Sequence, residues 1–379
     1  MYIHRSLEKI LESRFFGGKV LILYGPRQAG KTTLVKRLVM PYGDTARYID
    51  CELLENRELL HSRNSEELFS LVAGYKIIVF DEAQVISGIG SILKSLFDHH
   101  PEVQYIATGS SSFDLANIVS EPLTGRSLEF TLYPLSLSEL VTTDFDAEQK
   151  ILSLMRFGGY PDIQQVSEDE KILRLKTIAS QYLYKNVLSI GGVRKPELIM
   201  QLLTLLAHQI GHEVSYNELA TKLGTSKQTI ERYIDLLEKS YVVTRLPSFA
   251  RNLRNEVARS KKIYFIDLGI RNALLDLFRP MNVVARPDIG ALFENAMIIE
   301  RLKHLASQGR VVPSRYFWRT FAQSEVDYLE DQNGVLRGYE YKWNPEKKAS
   351  VPKAFSAAYP DVTVTIVTPR NALSFVTGE

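Results

Sequence analysis

An α/β fold with a parallel N-terminal sheet, followed by helical and then mixed modules, is predicted for this 379-residue chain by three observations. Five short apolar runs, Val20–Tyr24, Ala46–Asp50, Lys76–Phe80, Val103–Thr108 and Leu128–Leu132, alternate with helical stretches. They lack polar alternation, as strands covered on both faces do. A glycine-bearing loop joins the first run directly to a helical run, TTLVKRLVM. Beyond residue 134 the pattern changes twice: it is mostly helical over 134–210, and from about Ile263 strands surround one long helix, Ala291–Leu305. Between these lie two helices around a short turn, then a β-rich stretch, over 212–250.

The boundaries predict four modules: a sheet core over 1–135, a helical segment over 136–210, a two-helix module over 211–265 and a mixed α/β domain over 266–379. Composition agrees with a folded chain. It is 45% hydrophobic and 24% charged, which excludes disorder, a collagen-like chain and a small disulfide scaffold. Lys and Arg number 46 against 44 Asp and Glu, so any surface for a polyanion has to be a local patch. Cys51 is the single cysteine, which excludes an intrachain disulfide and a thiolate zinc cluster and reads as a packed small apolar residue. Residues 1–16 read as an amphipathic helix, ended by Gly17 and Gly18, with charges throughout and no signal-peptide core. No apolar run reaches the roughly 18 residues of a membrane helix. A soluble, cytoplasmic protein without a membrane partner is expected.

The loop Gly25-Pro26-Arg27-Gln28-Ala29-Gly30-Lys31-Thr32, with Thr33 following, fits the phosphate-binding pattern GxxxxGK[ST]. Glycines let backbone N–H groups curl around phosphates, and the next helix offers its positive N-terminal end. Lys31 would reach the β- and γ-phosphates of ATP, and the Thr32 hydroxyl would ligate Mg²⁺. One strand later, Ile77-Ile78-Val79-Phe80 ends in Asp81-Glu82. Asp81 would hold Mg²⁺ through water, and Glu82 would orient and deprotonate an attacking water, which favours hydrolysis over transfer to a second substrate. The next strand tip carries Thr108 and Ser110. Ser110, with Thr108 behind it, is the candidate γ-phosphate contact, or else a helix N-cap. Arg126 precedes the last run and is read three ways: completing this site in cis, entering a neighbour's site, or a solvated surface charge.

The runs LILYGPRQAGKTTLVKRL, IIVFDEAQ, ATGSSS, LTGRSLEFTLYPLSLSEL and RFGGYPD resemble a prokaryotic AAA-type ATPase family whose members carry a C-terminal domain of unknown function with a nuclease-like core. Ala29 stands where many members have valine. The resemblance covers essentially the whole chain. It implies a P-loop ATPase core, a helical lid, a winged-helix module and a restriction-endonuclease-like domain.

Val214 to Leu237 resembles a helix-turn-helix with Gly224 at the turn, and Thr225 with Gln228 forms a capping-box pattern. Ile230, Tyr233, Ile234 and Leu237 give the second helix a buried face. Ser226, Lys227, Gln228, Thr229 and Arg232 face outward and can meet bases and phosphates. A wing carrying Arg251, Arg254, Arg259, Lys261 and Lys262 would follow. DNA contact through residues 225–262 and contact with a protein partner both remain open.

Glu294 lies early in the apolar helix ALFENAMIIERL, Asp327 on one strand-like run, and Glu340 with Lys342 on another. Asp327 and Glu340 can share a divalent cation while Lys342 polarises water. The set resembles the PD-(D/E)XK nuclease pattern, with Val326 in the place of proline. The alternatives are a nuclease-like fold that does not cut and plain surface charge. His208 and His212 read as a structural pair, because Gln209 stands where a zinc protease needs glutamate. The whole reads as Mg²⁺-dependent ATP hydrolysis coupled to movement of winged and nuclease-like modules on DNA. The alternative is an ATP-driven switch that recruits a protein partner.

Overall fold

The computed structural model describes residues 2–61, 65–110, 123–143, 146–182, 195–249, 261–282, 286–309, 312–320, 324–346 and 350–378. The chain divides into two compact units: Met1–Pro134 with Lys239–Tyr241 and Ala306–Gly309, and Leu135–Glu238 with Val242–Leu305 and Arg310–Glu379.

The first unit is built on five parallel strands, β1 (Val20–Tyr24), β2 (Ala46–Asp50), β3 (Ile77–Asp81), β4 (Gln104–Gly109) and β5 (Ser127–Thr131). Their order is β2-β3-β4-β1-β5, with Ile22 beside both Ala107 and Glu129. Strand side chains alternate between faces. Val20, Ile22, Ile78, Phe80 and Tyr105 enter one core with Ile89, Leu93 and Leu96 of the Ile89–His99 helix. Leu21, Leu23, Ile77, Val79 and Ile106 enter a second core with Leu34, Val35 and Leu38 of the Lys31–Val39 helix. Two covered faces are why these runs carry no polar alternation. The N-terminal helix is shorter than its amphipathic pattern suggests, spanning Leu7–Glu12, whose Leu7 and Leu11 close the second core. Cys51 is fully buried beside the first core, and burial pushes its thiol up to about 12.

Gly25 ends β1 with φ +148°, and a Cβ there would lie 2.1 Å from the Leu132 carbonyl oxygen. Only glycine lets the loop leave the sheet at this point.

In the second unit, the helices Ala147–Phe157, Glu168–Tyr182 and Pro196–His208 precede β6 (Glu213–Val214), the helices Tyr216–Lys222 and Lys227–Lys239, and strands β7 (Val243–Pro247) and β8 (Lys261–Phe265). These strands form an antiparallel sheet ordered β6-β8-β7. The helices Leu268–Leu274 and Ile289–Ser307 follow, then β9 (Ser314–Arg319), β10 (Glu325–Gln332), β11 (Val335–Tyr341) and β12 (Val364–Val367) in the order β12-β11-β10-β9. The ladder between β9 and β10 shifts register between Val326 and Leu329, the stretch that carries Asp327.

The segments 136–210, 211–265 and 266–379 fall almost wholly within this one compact unit. Polar ties explain why. Asn272 Nδ2 donates to the carbonyls of Met155 and Arg156, both at 2.9 Å, and Arg271 Nε donates to Ala207 O at 2.9 Å. The Gly158-Gly159 pair belongs to the same network. Gly159 N–H donates to Asp267 Oδ2 at 2.7 Å, and a Cβ on Gly158 (φ +72°) would sit 2.0 Å from Asp267 Oδ1. Thr225 is not the cap of the second helix in the two-helix module. Ser226 takes that place, its Oγ accepting from Thr229 N–H at 3.1 Å, because the helix begins at Lys227. Among the described residues, no helix is long and apolar enough to cross a membrane.

Candidate functional site

The C-terminal ends of β1, β3 and β4 bring the sequence-predicted loop and carboxylates together. Gly30 (φ +96°) caps the Lys31–Val39 helix, and Gln28 is also left-handed at φ +60°. Pro26 and Ala29 are buried, Arg27 is half-buried, and Gln28 and Thr33 are exposed. Lys31 is 4% exposed, and its ammonium donates to the carbonyls of Gly25 (2.9 Å) and Pro26 (3.0 Å). Burial lowers its pKa to about 8, against the pull of Glu82 and Asp81. Glu82 Oε1 stands 4.0 Å from that ammonium.

Thr32 Oγ1 donates to Asp81 Oδ2 at 2.7 Å. The same carboxylate accepts from the hydroxyls of Tyr48 and Thr108. Glu82 is held in a left-handed backbone (φ +51°), and its N–H donates to Thr108 Oγ1 at 3.0 Å. Its Oε2 accepts from Gln84 Nε2 at 2.6 Å, and the same amide nitrogen donates to Ser110 Oγ at 3.1 Å. The residues present fit a magnesium nucleotide. A hydroxyl and a carboxylate meet at a helix N-terminus, beside a buried ammonium whose hydrogen bonds go to two loop carbonyls that a phosphate can replace.

Three residues in this frame carried no role in the sequence reading. Gln84 follows Glu82 by two positions and was open to discovery from the DEAQ run. Tyr48 reaches Asp81 because β2 lies beside β3, which no local pattern reveals. Arg5 donates to Ala29 O at 2.7 Å and Tyr133 O at 2.5 Å, bracing the loop from far away in sequence.

Arg126 lies at the other end of β1 from this loop. Its carbonyl accepts from Val20 N–H at the start of β1, and its guanidinium pairs with Asp98 at 2.7 Å. The loop leaves the opposite end of that strand, about 13 Å away along the chain direction.

In the second unit, the structure also gathers Glu294, Asp327, Glu340 and Lys342. Tyr328 pairs with Tyr339 across β10 and β11, so Asp327 comes beside Glu340 one step further on. Asp327 Oδ2 accepts from Tyr341 N–H at 2.8 Å, and Asp327 N–H donates to Glu340 Oε2 at 3.3 Å. Lys342 Nζ donates to Glu340 Oε1 at 2.8 Å. Burial, with Glu294 and Glu340 close by, raises the Asp327 carboxyl well above its usual range.

The structure brings Asp327 and Glu340 together and adds a neighbour that the sequence placed elsewhere. Lys262, expected on a basic wing tip, is only 1% exposed and bonds Glu294 at 3.0 Å as well as Glu325. Tyr264 also donates to Glu294 Oε1, at 2.5 Å. Among the described residues, no group of three His, Cys, Asp or Glu side chains is arranged to hold a metal ion. Arg251, Arg254 and Arg259 lie outside the described residues. His208 and His212 are both exposed, the helix between them having ended at His208.

Comparison with known proteins agrees with this division. Residues 17–141 match a family described as an AAA domain, residues 148–280 match a domain of unknown function (DUF8612), and residues 289–378 match another (DUF4143). The uncharacterized protein Rv2008c of Mycobacterium tuberculosis is 30% identical over 325 residues, 85% of this chain and 70% of that one. The uncharacterized protein MJ1637 of Methanocaldococcus jannaschii is 25% identical, covering 68% of this chain and 62% of that one. The Thermotoga maritima RuvB Holliday junction branch migration motor aligns over 65% of this chain and 90% of its own, at 18% identity and a TM-score of 0.32, too shallow to bear on activity. With an AAA-type P-loop ATPase domain at its N-terminal end, the chain belongs to the same family as the uncharacterized mycobacterial protein.

Proposed function

We propose that the chain binds ATP with Mg²⁺ at the glycine loop, hydrolyses it, and uses the nucleotide state to move the second unit on DNA. The observation that carries this reading is the Thr32–Asp81 hydrogen bond beside the buried Lys31 ammonium, with Glu82 next in line. On nucleotide binding, Lys31 exchanges its two loop carbonyls for phosphate oxygens. The loop N–H groups and the helix N-terminus take the remaining phosphate charge. Mg²⁺, when bound at Thr32 and Asp81, neutralises charge developing on the phosphates. Glu82 accepts the proton of the attacking water, with Gln84 holding its carboxylate. Ser110, just past the end of β4, contacts the γ-phosphate, while the buried Thr108 hydroxyl holds Asp81. Arg126, turned away from its own loop, serves a neighbouring subunit's site.

We read residues 136–210 as a lid, 211–265 as a winged helix and 266–379 as a nuclease-like domain. Two helices between β6 and β7 of a three-stranded antiparallel sheet support the winged-helix reading. Ser226 is committed to capping, so the DNA-facing donors are Lys227, Gln228 and Arg232, all exposed. The paired charges around Glu294 and Asp327 favour a nuclease-like domain that does not cut. ATP turnover measured alone, with single-stranded DNA and with duplex DNA tests the proposal. Turnover that is abolished by Glu82→Gln and stimulated by one form of DNA supports it. Turnover indifferent to both forms points to the rival reading, a switch that recruits a protein partner.

A further inference from the structure

We infer that the resident cation of the carboxylate cluster in the second unit is the Lys262 ammonium, and that this crevice takes no divalent metal ion. The inference is independent of the ATP site. Lys262 and Tyr264 lie two residues apart on β8 and so share one face, and both reach the same oxygen, Glu294 Oε1. Glu325 on β10 closes on the ammonium from another side, and Arg319 Nε stands 3.5 Å from the far oxygen of Glu325. Glu340 has its own cation in Lys342.

Glu294, Glu325 and Glu340 each have a protein cation within reach: Lys262 lies between Glu294 and Glu325, Arg319 is shared by Glu325 and Glu213, and Lys342 serves Glu340. The remaining acid, Asp327, is engaged by the Tyr341 N–H. A divalent ion held by one or two carboxylates, with water in its other positions, still needs an uncommitted oxygen on each and no cation already seated there. Here Glu294 Oε1 already accepts two donors, and an incoming ion would face a fixed positive charge held by the same oxygen. Lys262 cannot swing aside into water, because its side chain is enclosed. Burial alone would lower its proton affinity, yet Glu294 and Glu325 raise it above that of a free lysine. The ammonium therefore fastens β8 to the Ile289–Ser307 helix and to β10, where a metal would otherwise do so.

Manganese binding to the full-length chain, counted by electron paramagnetic resonance, tests this. Wild type, Asp327→Asn and Glu340→Gln should bind the same number of ions, since any ion at the glycine loop is common to all three. One ion fewer in either variant overturns the inference. Thermal unfolding supplies a second arm. Lys262→Met keeps the apolar stem and removes the charge, and should lower Tm by about 5 °C or more. Adding EDTA to the nucleotide-free wild type should leave Tm unchanged. An unchanged Tm in Lys262→Met, or a fall in wild-type Tm with EDTA, overturns the inference.

Discussion

Thr32 donates its hydroxyl to the Oδ2 oxygen of Asp81 at 2.7 Å, joining the first turn of the helix after the glycine loop to the end of β3. Removing the hydroxyl separates these elements chemically without opening a large cavity. Thr32→Ala should leave the fold intact and lower the ATPase rate at least tenfold, with the loss largest at low Mg²⁺. Steady-state rates across a magnesium titration check this, and a wild-type magnesium profile would refute the pairing as a metal site.

Lys31 and Glu82 should separate binding from chemistry. Lys31→Ala removes the buried ammonium that meets the phosphates, so ATP affinity should fall by two or more orders of magnitude. Glu82→Gln keeps that charge and should bind ATP while failing to hydrolyse it. Titration with a fluorescent ATP analogue decides, and equal loss of affinity in both variants would contradict the roles assigned.

Burial sets the nucleotide-free Lys31 at about 8, below its ordinary value near 10.5. Phosphate binding needs the protonated form. ATP affinity should therefore hold below pH 8 and then fall by roughly tenfold per unit above it. Stability runs the other way. The unfolded chain holds this proton more tightly, so the cost of the buried charge is relieved as pH rises from 8 toward 10.5. Calorimetric titrations between pH 7 and 9.5 follow the first effect, and a flat affinity would count against it.

DNA affinity should depend on Lys227 and Arg232, both exposed on the Lys227–Lys239 helix. Replacing both with alanine should weaken binding and reduce the salt slope by about 2, as expected for two lost phosphate contacts. Binding measured from 50 to 200 mM salt reads this. An unaltered slope would remove that helix from the interface.

Gly158→Ala should destabilise the second unit by about 3 kcal/mol or more, since the added methyl meets Asp267 Oδ1 at 2.0 Å and the backbone is left-handed. Thermal unfolding measures the loss. A variant as stable as wild type would show that the Asp267 carboxyl moves freely.

The sequence alone determined the parallel sheet and the phosphate loop, because both depend on contiguous residues. An unbroken apolar run reports a strand covered on both faces, and the spacing of Gly25, Gly30, Lys31 and Thr32 reports backbone geometry directly. It also identified Asp81 and Glu82, which end the strand Ile77–Asp81, and it named Glu294, Asp327, Glu340 and Lys342 as a group. Only the tertiary structure showed what the last group touches. Lys262 lies 32 residues from Glu294 and 63 from Glu325 in the chain. Its place in a run of basic residues marks it as a surface charge until β8 turns it inward. Tyr48 and Arg5 escaped for the same reason: each acts through long-range hydrogen bonds that leave no periodicity behind. Arg126 was legible as an arginine before a strand. Which end of the sheet it occupied followed only from the parallel register of β1 and β5, which places it away from its own loop.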